Sequence, residues 1–299
     1  MKQTSMKPSI RLIFYPEMQR VIDHYASLPL YSGETIVPIR DAEASVAPGD
    51  KVIVLGRHGN CHQYDLAHIK LLRERGVVPG HEDTTVVVFD WHEDFDSDVS
   101  GTELTSASWA YLGLEENYYS NLYVVGANPS GYNEINPYLH YADSGEKEFK
   151  PPTGGTWRQI DRICLFPAMP CYAFFRLLPE WSATVVENES ITECFAPDGG
   201  GFVVAELKGM EEITYRNRRK SVVVSIDLDV LKRSVVKTVC PQGITDVDRL
   251  VSHLRRVRES GPVDAVLICG LTEAEEEQDE VSLATVSTLL AEARSLLST

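Results

Sequence analysis

Apolar residues gather in short runs along the chain. These are IRLIFY (10–15), KVIVLG (51–56), TVVVFD (85–90), NLYVVGA (121–127), RICLF (162–166), GFVVAEL (201–207), SVVVSIDLDV (221–230) and AVLICGL (265–271). Several are rich in Val and Ile and do not alternate strictly with polar residues, which is how strands covered on both faces of a parallel sheet look. Between some of them apolar positions recur at helical spacing. HQYDLAHIKLLRERG (62–76) ends on a Gly stop. TDVDRLVSHLRRVRESG (245–261) opens on a Thr cap, with acids early and cations late. SLATVSTLLAEARSLLS (282–298) is amphipathic. The alternation predicts an α/β fold of three layers, α/β/α, around one mainly parallel sheet. Residues 128–160, rich in Pro, Gly, Tyr and Asn, predict a long irregular excursion of the kind that shapes binding sites. Without a repeat, a low-complexity tract or a clean linker, residues 1–299 read as one domain carrying that excursion.

Composition narrows the partners. The 299 residues are 43% hydrophobic and 24% charged, the profile of a globular protein with a sizeable core. A net charge of −16 argues against nucleic acid, which demands a basic face; it would favour cationic ligands, but on charge alone it reads as keeping the protein soluble. No apolar run approaches the ~20 residues that span a bilayer, and the N-terminus lacks a secretory pattern, so the expected location is cytoplasmic. Six cysteines, at 61, 164, 171, 194, 240 and 269, form no CxxC pair and read as small buried hydrophobes. Oligomeric state, monomer or homo-oligomer, stays open.

The chemistry begins where strands end. Residues 86–98 read VVVFDWHEDFDSD, so four apolar residues run into Asp90, His92, Asp94, Asp96 and Asp98. Alternate side chains of an extended segment share a face, which would project Asp90, His92 and Asp94 together. SIDLD repeats the pattern with Asp227 and Asp229. In open α/β sheets ligands bind at the carboxyl ends of strands. Two such ends side by side would aim several anionic groups at one point, and a divalent cation would relieve their repulsion. Oxygen-rich sites with one or two imidazoles suit Mn²⁺, with Fe²⁺ and Zn²⁺ as alternatives. Singly, each cluster also reads as a strand-end turn or helix cap. His68 and His253 fall within helical patterns and read as surface or packing residues.

Taken in order, these segments resemble the arginase–agmatinase (ureohydrolase) family, whose fold is shared with histone deacetylases. GNCHQ (59–63) stands where the family has a GGDHS-like segment, FDWHED matches DAHxD, SIDLD matches SxDxD, and QGIT (242–245) is similar to the turn that follows. The resemblance spans residues 50–290 with large gaps. It implies two Mn²⁺ ions held by His62, Asp90, His92, Asp94, Asp227 and Asp229, with His58 a rival to His62. It also implies cleavage of a guanidinium group with release of urea, Asp94 orienting the attacking hydroxide and accepting its proton.

The chain departs from the family pattern in its substrate residues. TSASWA (105–110) carries Ala110 where arginases have a proton-shuttling His. Gly270 falls on the position of the guanidinium-gripping Glu, which Glu273 or Glu275 would replace unless the run 273–277 is a solvated acidic loop. Asp96 stands at a substrate-contacting position and Asp98 reads as a loop residue. Asp279 matches the acid ending the family segment or caps the last helix. Residues that would hold the α-carboxylate and α-amine of free arginine are not evident. The expected substrate is therefore a cationic guanidine, most of all an arginine within a precursor peptide, converted to ornithine. The alternatives are a zinc deacetylase-like amidohydrolase and a non-catalytic metal-binding regulatory protein.

Overall fold

The computed structural model describes residues 9–31, 33–57, 59, 62–92, 104–106, 108–125, 221–240, 243, 245–272 and 278–298, with short strands at 163–166, 183–184, 193–194 and 203–204. In chain order the elements are β1 (Ile10–Phe14), α1 (Gln19–Ser27), β2 (Thr35–Pro38), α2 (Ile39–Ser45), β3 (Lys51–Leu55), α3 (Tyr64–Glu74), β4 (Thr84–Phe89), α4 (Trp109–Glu115) and β5 (Asn121–Val125). Then follow β6 (Ile163–Phe166), β7 (Ala183–Thr184), β8 (Glu193–Cys194), β9 (Val203–Val204), β10 (Ser221–Asp227), α5 (Val247–Ser260), β11 (Val263–Cys269) and α6 (Glu280–Leu297). The excursion expected at 128–160 lies outside the described residues. None of the described helices is long and apolar enough to cross a membrane.

Nine strands form one sheet in the order β2-β1-β3-β11-β10-β4-β5-β6-β9, and every neighbouring pair in it is parallel. The expected α/β architecture is thus present. Period-2 alternation sorts the strand residues onto two faces. Leu12, Ile53, Leu55, Val87, Phe89, Val224, Ile226, Val266 and Ile268 pack with Leu250 and Leu254 of α5 and with Val286, Leu289 and Leu290 of α6. Ile13, Val52, Val54, Val86, Val88, Val223, Ala265 and Leu267 pack with Leu66, Ile69 and Leu72 of α3 and Trp109 of α4. Burying one such Val, Leu, Ile or Phe contributes about 1.5–3 kcal/mol relative to leaving it exposed.

The strand order places the site. β3 and β4 follow one another in the chain, yet β11 and β10, the last strands of the chain, insert between them in the sheet. The connection leaving β10 runs to β11 on one side, and the connection leaving β4 runs to β5 on the other. A crevice therefore opens beyond the carboxyl ends of β10 and β4, where the winding direction reverses. The clustered acids and imidazoles described below gather at that end of the sheet.

Candidate metal centre

β10 is fully buried, and its alternation decides which groups meet. Val222, Val224 and Ile226 face α5 and α6, while Val223 faces α3. Ser225 and Asp227 continue the α3 side by the same period of two. On α3, Asp65, Leu66, His68, Ile69 and Leu72 form the buried stripe. His62 sits in the turn just before α3, at 1% exposure. Its Nε2 lies 2.6 Å from Ser225 Oγ, and Ser225 Oγ donates to Asp65 Oδ2 at 2.6 Å. A carboxylate only accepts, so the direction of this relay is fixed: His62 Nε2–H donates to Ser225, which donates to Asp65. Nδ1 of His62 then points the other way, 3.0 Å from Asp90 Oδ2 and 3.7 Å from Asp227 Oδ2. The His62 ring also packs against Trp109, with centroids 4.7 Å apart.

β4 stops at Phe89, so Asp90 and His92 do not continue an extended strand as the alternation predicts. The segment turns instead. Asp90 Oδ1 accepts from the His92 amide at 2.7 Å, and this turn brings His92 round to Asp229. His92 Nδ1 is 2.8 Å from Asp229 Oδ2, while Asp229 Oδ1 accepts from the Trp91 amide at 3.1 Å. The second motif also bends: Leu228–Val230 form a single 3-10 turn, in which Asp227 Oδ1 accepts from the Asp229 amide at 3.0 Å. Asp90 thus reaches both imidazoles, with Oδ2 toward His62 and Oδ1 toward His92.

Two groups of donor atoms result. His62, Asp227 and Cys269 each offer an atom within 4.8 Å of the others, and so do Asp90, His92 and Asp229. The electrostatics favour a cation there. Burial, then Asp229 and Asp90, push the Asp227 carboxyl well above the usual range. Burial, then Asp90, raise Asp229 to about 7 against the pull of His92. Burial also penalises the Asp90 carboxylate, but the His62 and His92 imidazoles outweigh this and hold it well below the usual range. Asp229 and Asp90 raise His92 to about 12. His62 Nδ1 and Asp90 Oδ2 lie 3.0 Å apart, a nitrogen and an oxygen close enough to serve one ion or two adjoining ones. Oxygen and nitrogen donors aimed inward, with more carboxylates than protons to share, fit divalent ions.

Of the residues singled out in the sequence, His62, Asp90, His92, Asp227 and Asp229 come together. Asp94, Asp96, Glu273, Glu275, His58 and Asp98 lie outside the described residues. Ala110 is fully buried in α4. Asp279 Oδ1 caps α6 by accepting from the Ser282 amide at 2.9 Å. Gly270 has φ +94°, and a Cβ there would collide with Asp227 Oδ1, so the carboxylate itself excludes a side chain at this position. His253 is buried, in keeping with a packing role. His68 is buried too, but it does more than pack: its Nδ1 is 3.6 Å from Asp65 Oδ1 and its Nε2 3.0 Å from the Tyr15 hydroxyl.

Sequence reasoning missed Asp65, Ser225 and Cys269. Asp65 was detectable as an acid on the apolar stripe of an amphipathic helix. Burial raises its pKa, but the nearby His62 and His68 imidazoles bring it down to about 2. Cys269 is buried, as a small hydrophobe would be, yet it ends β11 directly opposite Asp227.

No protein-family model and no curated protein matches the sequence. Solved structures do match the fold. A proclavaminate amidino hydrolase from Streptomyces clavuligerus is 13% identical, with 97% of this chain and 92% of that one covered and a TM-score of 0.57. Arginase from Medicago truncatula is 13% identical, with 98% and 88% covered and a TM-score of 0.55. A formiminoglutamase from Trypanosoma cruzi, solved with Mn²⁺, is 14% identical, with 98% and 96% covered and a TM-score of 0.52. At these identities the likeness is one of architecture: the chain has the arginase-like α/β fold.

Proposed function

We propose that this chain is a dinuclear manganese hydrolase that cleaves the guanidinium group of an arginine side chain within a peptide, releasing urea and leaving ornithine. The convergence of His62, Asp227, Asp90, His92 and Asp229 at adjoining strand ends carries the reading. The fold shared with amidino-cleaving enzymes, and with one structure that contains Mn²⁺, supports it. His62 and Asp227 would hold one ion, His92 and Asp229 the other, with Asp90 and Asp94 completing the set.

When bound, a pair of divalent ions supplies a water acidic enough to ionise near neutral pH and stabilises negative charge. The residues do the rest. The Ser225–Asp65 relay keeps the proton of His62 on Nε2 and its donor lone pair toward the site. Asp94 orients the water and takes its proton. The water oxygen bonds to the guanidinium carbon, the bond from that carbon to the side-chain nitrogen breaks, and the proton passes to the departing amine. Asp96 and Glu273 hold the cationic substrate, for which a carboxylate offers two parallel acceptors. The net charge of −16 draws such a cation in.

The test is incubation of the Mn²⁺-loaded protein with an arginine-containing peptide, free arginine and agmatine. Urea, together with the arginine-to-ornithine mass decrease in the peptide, is the expected result. No urea from any of the three guanidines would overturn the proposal, and urea from free arginine alone would overturn its peptide part.

A further inference from the structure

We propose that Cys269 is a metal donor, and that its sulfur makes the two ion positions of this centre chemically unlike. The proposal rests on the metal-binding reading above but not on the identity of the substrate. Cys269 closes β11 in direct register with Asp227 on β10, so the two side chains leave neighbouring parallel strands side by side. Alternation places Cys269 with Ala265 and Leu267 on the α3 side of the sheet, the side on which His62 lies. Its Sγ is 3.9 Å from Asp227 Oδ2 and within 4.8 Å of a His62 nitrogen. Donor atoms at these separations can share one ion with tetrahedral angles between them.

Two further observations bear on the thiol. The residue flanking Cys269 at the end of the neighbouring strand β3 is Gly56, where even a Cβ would approach the Cys269 Cβ to 3.2 Å. No side chain stands there to compete for the sulfur. The second observation is the Asp90 carboxylate, 1% exposed, whose Oδ2 lies 3.0 Å from His62 Nδ1 but accepts no geometrically sound hydrogen bond from the described residues. This acceptor belongs to the Asp90, His92 and Asp229 group and lies beside His62 of the Cys269 group, so it fits a cation at the boundary of the two positions.

The donor sets then differ in softness. The position with Cys269, His62 and Asp227 offers sulfur, nitrogen and oxygen, and thiolate donors favour Zn²⁺ and similar ions over Mn²⁺. The position with Asp90, His92 and Asp229 offers one imidazole and carboxylates, which suit Mn²⁺. A coordinating thiol loses its proton to solvent as the ion binds, so sulfur and metal form one bond and one proton is released. The consequence is that the Cys269 position holds Mn²⁺ less selectively than its neighbour, so the dimanganese form proposed above requires Mn²⁺ in excess over Zn²⁺.

Cobalt tests this without reference to turnover. The full-length protein, stripped of metal and kept reduced, is titrated with Co²⁺ while absorption and bound cobalt are recorded. Wild type should develop an intense near-ultraviolet sulfur-to-cobalt charge-transfer band that saturates with one of two bound equivalents. Cys269→Ser should lose the band and still bind cobalt at the other position, and Cys240→Ser, a control for the second described thiol, should keep it. In competition, Cys269→Ser should lower the preference for Zn²⁺ over Mn²⁺ by at least ~10-fold, since loss of a partner one step removed from the ion already costs that much. Cobalt bound without the band in wild type, or a band unchanged in Cys269→Ser, would overturn the thiolate and leave the metal centre standing. Failure to bind cobalt, Zn²⁺ or Mn²⁺ at all would overturn both. The wild-type spectrum decides the matter even if the Cys269→Ser protein does not fold.

Discussion

Replacing Ser225 with Ala removes a single hydroxyl that joins two groups of the centre. Ser225 is fully buried, and its Oγ lies 2.6 Å from both His62 Nε2 and Asp65 Oδ2. A hydrogen bond to a charged group is worth about 1.5–3 kcal/mol, and one to a neutral partner about 1 kcal/mol. The metal-free protein should therefore lose about 3 kcal/mol, a large share of the ~5–15 kcal/mol typical of a folded chain. The loss should stay near that figure because Asp65 keeps His62 Nε2 at 3.3 Å and His68 Nδ1 at 3.6 Å. The more telling effect is on metal. Without the hydroxyl, His62 relies on the longer 3.3 Å contact to Asp65 and the packing on Trp109 to set its tautomer and tilt, and losses of this kind behind a ligand lower affinity ~10–100-fold. Urea denaturation of the metal-free protein measures the first quantity, and calorimetric Mn²⁺ titration of the same preparation measures the second. Ser225→Thr, which keeps the hydroxyl on a residue suited to strands, should restore most of the affinity. Stability reduced as stated but Mn²⁺ affinity unchanged would refute the relay as a positioning device and reduce it to a structural contact.

Other perturbations have equally definite outcomes. His253 is 2% exposed, and burial, followed by Arg256 and Arg249, lowers its pKa from 6.5 to about 4. The unfolded chain thus takes up a proton below about pH 6.5 that the folded chain refuses until about pH 4, so stability is present above that window and lost as pH falls through it. The difference between those two values corresponds to at most about 3 kcal/mol. His253→Phe should flatten that part of the stability profile in urea melts at pH 7 and pH 4.5, and an unchanged slope would contradict the assignment. Gly270→Ala should displace Asp227, adding roughly 1–3 kcal/mol of backbone strain and lowering Mn²⁺ affinity by more than ~10-fold in the same titration. Arg294 Nε lies 2.7 Å from Glu34 Oε1, and the Glu34 side chain is 2% exposed. Arg294→Met should cost about 2–3 kcal/mol in thermal unfolding, and Glu34→Gln on the same background should recover part of it.

The central strands were legible because their Val and Ile runs have no competing reading, and α3, α5 and α6 because their apolar stripes are long. The elements that escaped are short. Helix α1, QRVIDHYAS, buries only Val21, Ile22 and Tyr25, and β2 is four residues at the edge of the sheet. The site was legible as far as it is written in local spacing: Asp90 and His92 two apart, Asp227 and Asp229 two apart. The expected extended geometry was not, because the Asp90 carboxylate captures the His92 amide and turns the chain. Ser225, Asp65 and Cys269 have no local signature that joins them. Their meeting depends on strand register and on the insertion of β10 and β11 between β3 and β4, which no single segment encodes.

That insertion also sets when an ion can be captured. His62 and Ser225 stand 163 positions apart, and Asp227 and Cys269 a further 42 from each other, so the binding groups assemble only after the last strands have docked. Unlike a zinc finger, in which the ion organises a short loop, this chain must complete its sheet first. On the proposed reading, metal loading is a finishing step on a folded scaffold, and which ion is acquired depends on what surrounds the protein at that moment.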